Sequence, residues 1–396
     1  MLLISTMATL VIGFAGGILF SQALDSPHNN SDFEIFWQSW DILERDYYTD
    51  LPEDQELVYG AIQGLLASTG DPYTRFVPPA DAEEDRQFMA GEYEGIGTTV
   101  SPTETGDVMI EGLLPNSPAE SAGLMPGDLI RAVDGIRLAS YDFEDAVDLM
   151  RGEPNTTITL TIFRPAEERE FLVDVTRATI EWPNVQARMY GDVGYIALFT
   201  FNERATVALE REIADLLDQG ATALILDLRG NPGGLLEQAV SVSDLFLGEG
   251  VVVKQQSSDD DERVFSSNGG DLAEDIPLVV LIDERSASAS EVVAGALRDQ
   301  DRAVLIGQTS FGKGSVQYVY DMPDDSQLYI TASLWYTPDG TAIQGDGLIP
   351  DVEVLTAEIT ILDSNSDTGT DPEIAAAIEY LAAQQTEMES DEEPGT

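Results

Sequence analysis

Short apolar runs alternate with longer amphipathic stretches through the second half of the chain. An uninterrupted apolar run is typical of a strand buried on both faces of a sheet. The predicted strands are 193–199, 223–228, 278–283 and 303–306, and the predicted helices are 203–219, 235–247 and 288–299. This alternation predicts a mostly parallel sheet covered by helices. We further predict an acidic loop over 257–275, a strand over 315–320 and a last amphipathic helix over 372–385.

A different pattern precedes this region. Apolar residues recur at helical spacing between 32 and 70, and Gly70 ends the second of two predicted helices. Residues 71–79, with three prolines, predict a turn, and 80–89 predict a charged linker or a short helix.

Residues 91–178 combine short β-like stretches with turns and one helix. This pattern predicts a small β-rich domain. Its predicted strands are 97–101, 108–112, 128–133, 157–163 and 170–175, and its predicted helix is 142–150.

The N-terminal residues 1–24 contain no charged side chain. A run of about 20 apolar residues is long enough to span a bilayer, and the acidic residues that follow are easier to leave outside. We therefore expect a membrane anchor, or a signal segment if cleavage occurs near Ser21-Gln22-Ala23. Either form places the rest of the chain outside the cytoplasm. The alternative is a buried core helix.

Composition narrows the possible chemistry. The chain of 396 residues has no cysteine, which excludes disulfides, cysteine nucleophiles and thiolate metal sites. Its single histidine, His28, makes a Ser-His-Asp triad or a histidine-rich metal site very improbable, so a hydrolase built on this chain needs another base. The net charge of −54 repels nucleic acid and anionic membrane surfaces. Lysine occurs only at Lys254 and Lys313.

Two strand-to-helix junctions contain small residues suited to catalysis. The glycines of 227–234 leave backbone N–H groups able to face a developing oxyanion, although an ordinary tight turn has the same composition. The Ser-Ala-Ser-Ala-Ser-Glu run at 286–291 can expose a serine hydroxyl beside helix N-terminal amides, although serine also caps helices without any catalytic role.

The third junction, 307–314, differs from a phosphate-binding loop at a decisive position. Gly314 stands where that loop needs Ser or Thr for magnesium, and a strand follows instead of a helix, so nucleotide binding is disfavoured. Lys313 can act as a general base if burial lowers its pKa, or it is an exposed structural lysine. The three junctions together contain the groups of a Ser-Lys hydrolase.

These motifs, in this order, resemble those of the carboxyl-terminal processing (tail-specific) serine proteases over about residues 32–385. The resemblance also rests on Asp71-Pro72-Tyr73-Thr74, Gly95-Ile96-Gly97, and the segments from Pro118 to Gly123-Leu124 and Gly127-Asp128. It implies a multidomain α/β fold, in which a ClpP/crotonase-like βαβ core accompanies an inserted PDZ-like domain and an N-terminal helical segment. The implied segments are 1–24 (anchor or signal), 32–90 (helical), 91–178 (PDZ-like), 179–360 (protease core), 371–386 (C-terminal helix) and 387–396 (acidic tail).

The resemblance also implies a role for individual residues. Ser288 matches the nucleophile, Lys313 its base and Gln317 the residue that orients the lysine amine; if 315–320 is a strand, Lys313 and Gln317 share parity and can face the same side. The resemblance further implies that Gly233 or Gly234, with the Ala289 amide, forms an oxyanion hole. It implies that Gly95, Ile96 and Gly97 bind the C-terminus of a substrate. It also implies that Arg151 couples the PDZ domain to the site and that Glu291 and Asp299 support the structure.

The expected activity is that of a serine endopeptidase that acts through an acyl-enzyme without metal or cofactor. Its expected substrates are proteins with nonpolar C-terminal tails, which the PDZ-like domain recognises. Since Lys313 must be neutral to accept a proton, we expect no Asp or Glu in contact with its amine. The resemblance also implies a homodimer. The alternative is a non-catalytic, membrane-tethered PDZ scaffold that binds protein C-termini.

Overall fold

The computed structural model describes residues 33–258, 261–270, 272–354 and 371–392. The chain divides into two compact units, one up to Leu65 and one from Leu66 onward. The first unit contains helix α1 (Glu34–Asp46) and most of α2 (Asp54–Ala67). The membrane segment expected at 1–24 lies outside the described residues. Within the described ranges, no helix is both long enough and apolar enough to cross a membrane.

The second unit contains the remaining elements in the following order. Its helices are α3 (Pro79–Ala90), α4 (Pro118–Ser121), α5 (Phe143–Asp148), α6 (Ala205–Asp218), α7 (Leu236–Asp244), α8 (Ala289–Asp299) and α9 (Pro372–Glu392). Its strands are β1 (Arg75–Val77), β2 (Glu92–Gly95), β3 (Thr98–Pro102), β4 (Val108–Leu113), β5 (Leu129–Val133), β6 (Ile136–Arg137), β7 (Thr157–Arg164), β8 (Arg169–Thr176), β9 (Ala178–Glu181), β10 (Val185–Tyr190), β11 (Val193–Leu198), β12 (Ala223–Asp227), β13 (Gly250–Ser257), β14 (Glu262–Ser267), β15 (Leu278–Ile282), β16 (Val304–Gly307), β17 (Ser315–Asp321), β18 (Gln327–Tyr336) and β19 (Val352–Glu353).

A six-stranded sheet forms the centre of the second unit. Its order is β10-β11-β12-β15-β16-β19, and every pair from β11 to β19 is parallel, as the strand–helix alternation predicts. Alternate residues of β12 and β15 face opposite sides, because side chains alternate along a strand. One face packs in the core that contains α6, α7 and α8, and the other packs against α9. Burial on both faces explains why these strands are continuous apolar runs.

An antiparallel sheet lies beside this core, and the sequence patterns missed most of it. Its order is β1-β18-β13-β14, and β17 also pairs with β18. The prediction of a turn over 71–79 was wrong at β1, and the prediction of a loop over 257–275 was wrong at β14. β1 has only three residues and pairs with a strand about 250 positions away, so no local pattern marks it. β14 is largely exposed and polar, so it shows no apolar run.

The β-rich domain is built from β3 to β8 around its own core, with α4 and α5 packed at its edges. The five strands predicted there are all present. The chain enters through β2 and leaves through β9, and these two strands pair as an antiparallel ribbon. Arg204, directly before α6, donates to Glu92 on β2 and to Glu181 on β9, which joins that ribbon to the part of the second unit that contains the central sheet.

Two glycines of this domain have nearly the same backbone conformation in different surroundings. Gly97 has φ +80° and a Cβ added there would stand 2.3 Å from Ser117 Cβ, whereas Gly123 has φ +79° and open space around it. We expect Gly123→Ala to cost about 1–2 kcal/mol of local stability through backbone strain alone. Gly97→Ala should have the same backbone strain and, in addition, lose roughly 1–3 kcal/mol of stability because its new side chain overpacks against Ser117.

Hydrogen exchange of the β3–β8 amides measures this difference. Equal loss of protection in the two variants would contradict the close approach of Gly97 to Ser117.

Candidate active site

Three loops meet at one edge of the central sheet. β12, β15 and β16 are parallel neighbours, so the loops that follow them, 228–234, 283–288 and 308–314, open at the same carboxyl-terminal edge. This edge is where open parallel sheets place their ligand sites. The sheet therefore brings together the three motifs identified in the sequence.

Ser288 stands at the tip of the second loop in a strained conformation. Its backbone has φ +55° and ψ −114°, a region that residues with a side chain rarely occupy. It is half-buried and directly precedes α8, so its side chain lies beside the first N–H groups of that helix. Such strain persists only where the surrounding structure enforces it.

The flanking serines have structural roles. Ser286 and Ser290 are fully buried, and their hydroxyls donate to the carbonyl oxygens of Leu228 (2.8 Å) and Asn231 (3.0 Å). Both bonds tie the serine turn to the glycine loop 228–234. Of the three serines in the motif, Ser288 is therefore the one placed for chemistry.

The carboxylate of Glu291 connects the serine turn to the lysine loop. It is fully buried, and its Oε2 accepts the backbone N–H groups of both Ser288 (2.8 Å) and Lys313 (2.9 Å). Its Oε1 accepts the Ser310 hydroxyl and the Gly312 N–H, each at 2.6 Å. Burial raises the pKa of Glu291, and the four donors oppose that rise. One side chain thus holds Ser288 and Lys313 next to each other.

The amine of Lys313 lies over an aromatic ring. Nζ is 5.1 Å from the centre of the Tyr73 ring. Burial lowers the pKa of Lys313, Arg75 lowers it further, and Glu291 opposes both effects. In the part of the chain that the structure describes, no carboxylate forms a salt bridge with this amine. These surroundings make the neutral form of Lys313 easier to reach than in an exposed lysine, and a general base needs that form.

The candidate oxyanion donors lie beside Ser288. A Cβ on Gly233 (φ +100°) would stand 2.8 Å from Ser288 Cβ and 2.9 Å from the Ala289 nitrogen. The N–H of Gly233 donates to Asn231 Oδ1 at 2.9 Å, so it is already used. Of the expected donors, this leaves the Gly234 N–H and the Ala289 N–H as the better pair for an oxyanion.

Gln317 is placed differently from the expectation. β17 begins at Ser315, after Lys313, and its register shifts between Val316 and Gln317, so the shared strand parity expected for Lys313 and Gln317 does not hold. The Gln317 amide donates to Ser315 Oγ (2.9 Å) and Thr331 Oγ1 (3.2 Å). Its role in orienting Lys313 stays a prediction.

The residues assigned to substrate recognition lie in and around the β-rich domain. Gly95, Ile96 and Gly97 are all buried. The Ile96 carbonyl accepts the Ala119 N–H, which connects this turn to α4. Arg151 is exposed and donates to Glu84 on α3 at 2.6 Å, so it contacts the helix before the domain.

Sequence reasoning missed two residues of the site. Asn231 is fully buried and connects the glycine loop to Leu198 by a side-chain bond of 2.8 Å. Tyr73 belongs to the Asp71-Pro72-Tyr73-Thr74 motif, which was noticed without a role. The motif itself was the available signal, but only the fold shows which side chain the ring contacts.

Comparisons with known proteins agree with this arrangement. The family model described as "Peptidase family S41" matches residues 192–354, which contain the three loops 228–234, 283–288 and 308–314. A PDZ domain model matches 109–164, within the β-rich domain. The "Activating protease CtpB N-terminal domain" model matches 19–79.

Similar proteins cover most of the chain. The carboxy-terminal-processing protease of Bartonella bacilliformis is 37% identical over 88% of this chain and 83% of its own length. The carboxyl-terminal-processing protease of Synechocystis is 34% identical over 87% of this chain and 81% of its own. A Bacteroides fragilis structure described as an S41 protease covers 85% of this chain and 92% of its own at 19% identity, with a TM-score of 0.53, and it supports the fold alone.

We expect Glu291→Gln to destabilise the protein by roughly 1–3 kcal/mol for each donor left unpaired, because an amide NH2 would face two of the four donors that the carboxylate accepts. Glu284→Gln, an exposed change in the same turn, serves as the control. Denaturant unfolding measures the stability of each variant. Labelling by a serine-reactive probe measures whether the geometry of the site is kept. A Glu291→Gln variant as stable as wild type would contradict an ionised carboxylate at this position.

Proposed function

This chain belongs to peptidase family S41, among the carboxyl-terminal-processing serine proteases with a PDZ domain, and from that premise we propose that Ser288 and Lys313 are its catalytic dyad. The observation that carries the assignment is the shared acceptor: one Glu291 oxygen binds the backbone N–H of both residues. The environment of the lysine, half-buried and without an ion pair to a described carboxylate, supports its role as base.

The proposed reaction follows from these positions. Neutral Lys313 accepts the Ser288 proton as Oγ attacks the scissile carbonyl carbon, and the Gly234 and Ala289 N–H groups stabilise the oxyanion. The C–N bond then breaks, the leaving amine takes the proton from Lys313, and the acyl chain remains on Ser288. Water, deprotonated by Lys313, attacks the ester and releases the carboxylic acid, which restores both residues.

Recognition of the substrate belongs to the PDZ domain in this proposal. Its Gly95-Ile96-Gly97 turn binds the carboxylate of a nonpolar C-terminal tail, as backbone turns capture chain ends elsewhere. Arg151 acts at the contact between this domain and α3, and Gln317 orients the lysine once its amide turns away from Ser315 and Thr331.

We extend the proposal to the setting of the enzyme. The apolar segment 1–24 anchors the chain in a membrane, or is cleaved as a signal, and the protease works outside the cytoplasm. A homodimer is the proposed assembly.

The first test compares cleavage of a protein with an apolar C-terminal tail by the full chain and by Ser288→Ala. We expect cleavage, followed by mass spectrometry, to disappear in Ser288→Ala and to weaken when the tail is amidated. Cleavage that survives Ser288→Ala would contradict the nucleophile. Tight binding of the tail without cleavage by wild type would favour a scaffold.

The second lysine provides a matched control for the base. A serine-reactive acylating probe should label wild type and Lys254→Ala but not Lys313→Ala, since Lys254 lies on β13 of the antiparallel sheet and donates to the Pro338 carbonyl. Equal labelling of both lysine variants would remove Lys313 from the mechanism.

The pH profile follows from the state of Lys313. Because the base must be neutral, kcat/KM should rise with pH through the pKa of Lys313, which burial holds below the ordinary lysine value. The rise therefore lies at lower pH than for an exposed lysine. A profile that falls over this range would contradict a lysine base.

A further inference from the structure

We infer that residues 71–75 complete the surroundings of the Lys313 amine. Tyr73 covers the amine, and Arg75 presents a like charge to it. This inference deepens the proposed function, because it rests on Lys313 as the base. The segment precedes the PDZ domain and lies outside residues 192–354, which match the peptidase family. Both residues are positioning residues and take no part in bond making.

The segment is fixed by its own hydrogen bonds and by β18. The carboxylate of Asp71 accepts the Tyr73 N–H (3.0 Å) and the Thr74 hydroxyl (2.7 Å), which closes a tight turn. The Thr331 N–H of β18 donates to Thr74 Oγ1 at 3.1 Å. β17, which directly follows the lysine loop, pairs with the same part of β18, with Gln317 opposite Thr331. β18 thus sets the distance between the turn and the lysine.

Tyr73 has two opposing effects on the amine. Its ring removes water from one side of Nζ, which penalises the charged form. The ring face also attracts an ammonium ion, which favours the charged form by about 0.5–1 kcal/mol at exposed sites. Burial is the largest influence on Lys313 in this site, so we expect the loss of cover to outweigh the loss of ring attraction.

Arg75 lies on β1, two residues after Tyr73, and its charge lowers the pKa of Lys313. Its guanidinium binds Asp85 on α3 at 3.0 Å and lies 4.2 Å above the Tyr329 ring. Its Cα pairs with that of Tyr329 across the β1–β18 ladder. Asp85 offsets part of the Arg75 charge, and Glu291 acts on Lys313 with the opposite sign. Because Arg75 is half exposed, salt should screen its effect.

The small number of lysines permits a direct test that needs no catalysis. The full chain, with lysine labelled by 13C at Cε and carrying Ser288→Ala to prevent self-cleavage, has two lysine signals, from Lys254 and Lys313. Lys254→Arg identifies them. An NMR titration then gives the midpoint of each lysine, and Lys254 serves as the internal reference. We expect the Lys313 midpoint to move to higher pH in Tyr73→Ala and in Arg75→Gln.

Conservative variants separate these effects from general damage. Tyr73→Phe keeps the ring and Arg75→Lys keeps the charge, so both should retain the wild-type midpoint. Tyr73→Leu keeps an apolar cover without the ring face, so its midpoint should not rise. High salt should reduce the difference between the Lys313 midpoints of wild type and Arg75→Gln. A Lys313 midpoint that does not move in Tyr73→Ala or in Arg75→Gln removes that residue from the inference.

The result is independent of the proposed reaction. If the midpoints shift as expected but the protein with Ser288 intact cleaves nothing, the proposed function fails while the cover over Lys313 stands. If cleavage depends on Ser288 and Lys313 but the Lys313 midpoint is unchanged in both Tyr73→Ala and Arg75→Gln, the proposed function stands and this inference fails.

Discussion

The buried carboxylate of Glu291 is the constraint on which the site depends. A buried charge is costly unless donors surround it, and here the donors come from the serine turn and from the lysine loop. The first turn of α8 is therefore stable only when both loops are in place. The same bonds that satisfy the charge position Ser288 and Lys313, so the stability of this region and the placement of these two residues share one cause.

The amine of Lys313 forms no ion pair with a described carboxylate, although the protein is very acidic. The chain has 73 acidic side chains, any of which would hold Lys313 in its charged form if paired with it. The site avoids this pairing because the nearby Glu291 directs both oxygens to backbone and hydroxyl donors. The Tyr73 ring covers another side of the Lys313 amine, and the charge of Arg75 lowers the pKa of that half-buried lysine further.

Close packing of backbone explains the strained turn. Gly233 approaches Ser288 so closely that a side chain would collide with it, and Asn231 ties the same loop to the serine turn through its carbonyl. The positive φ of Ser288 is thus enforced from two sides. The resulting arrangement leaves Ser288 half-buried while its neighbours Ser286 and Ser290 are fully buried.

The sequence by itself determined the β-rich domain, the parallel sheet and the three loops that follow the central strands of that sheet. Strands buried on both faces leave continuous apolar runs, and parallel order then brings their following loops to one edge. Patterns of neighbouring residues could not reveal β1, the polar strand β14 or the shifted register at Gln317, because each depends on a partner far along the chain. Only the tertiary structure decided that Ser286 and Ser290 are structural, that the Gly233 N–H is already used and that Tyr73 lies against Lys313. These are contacts between segments that are distant in sequence, and local composition does not encode them.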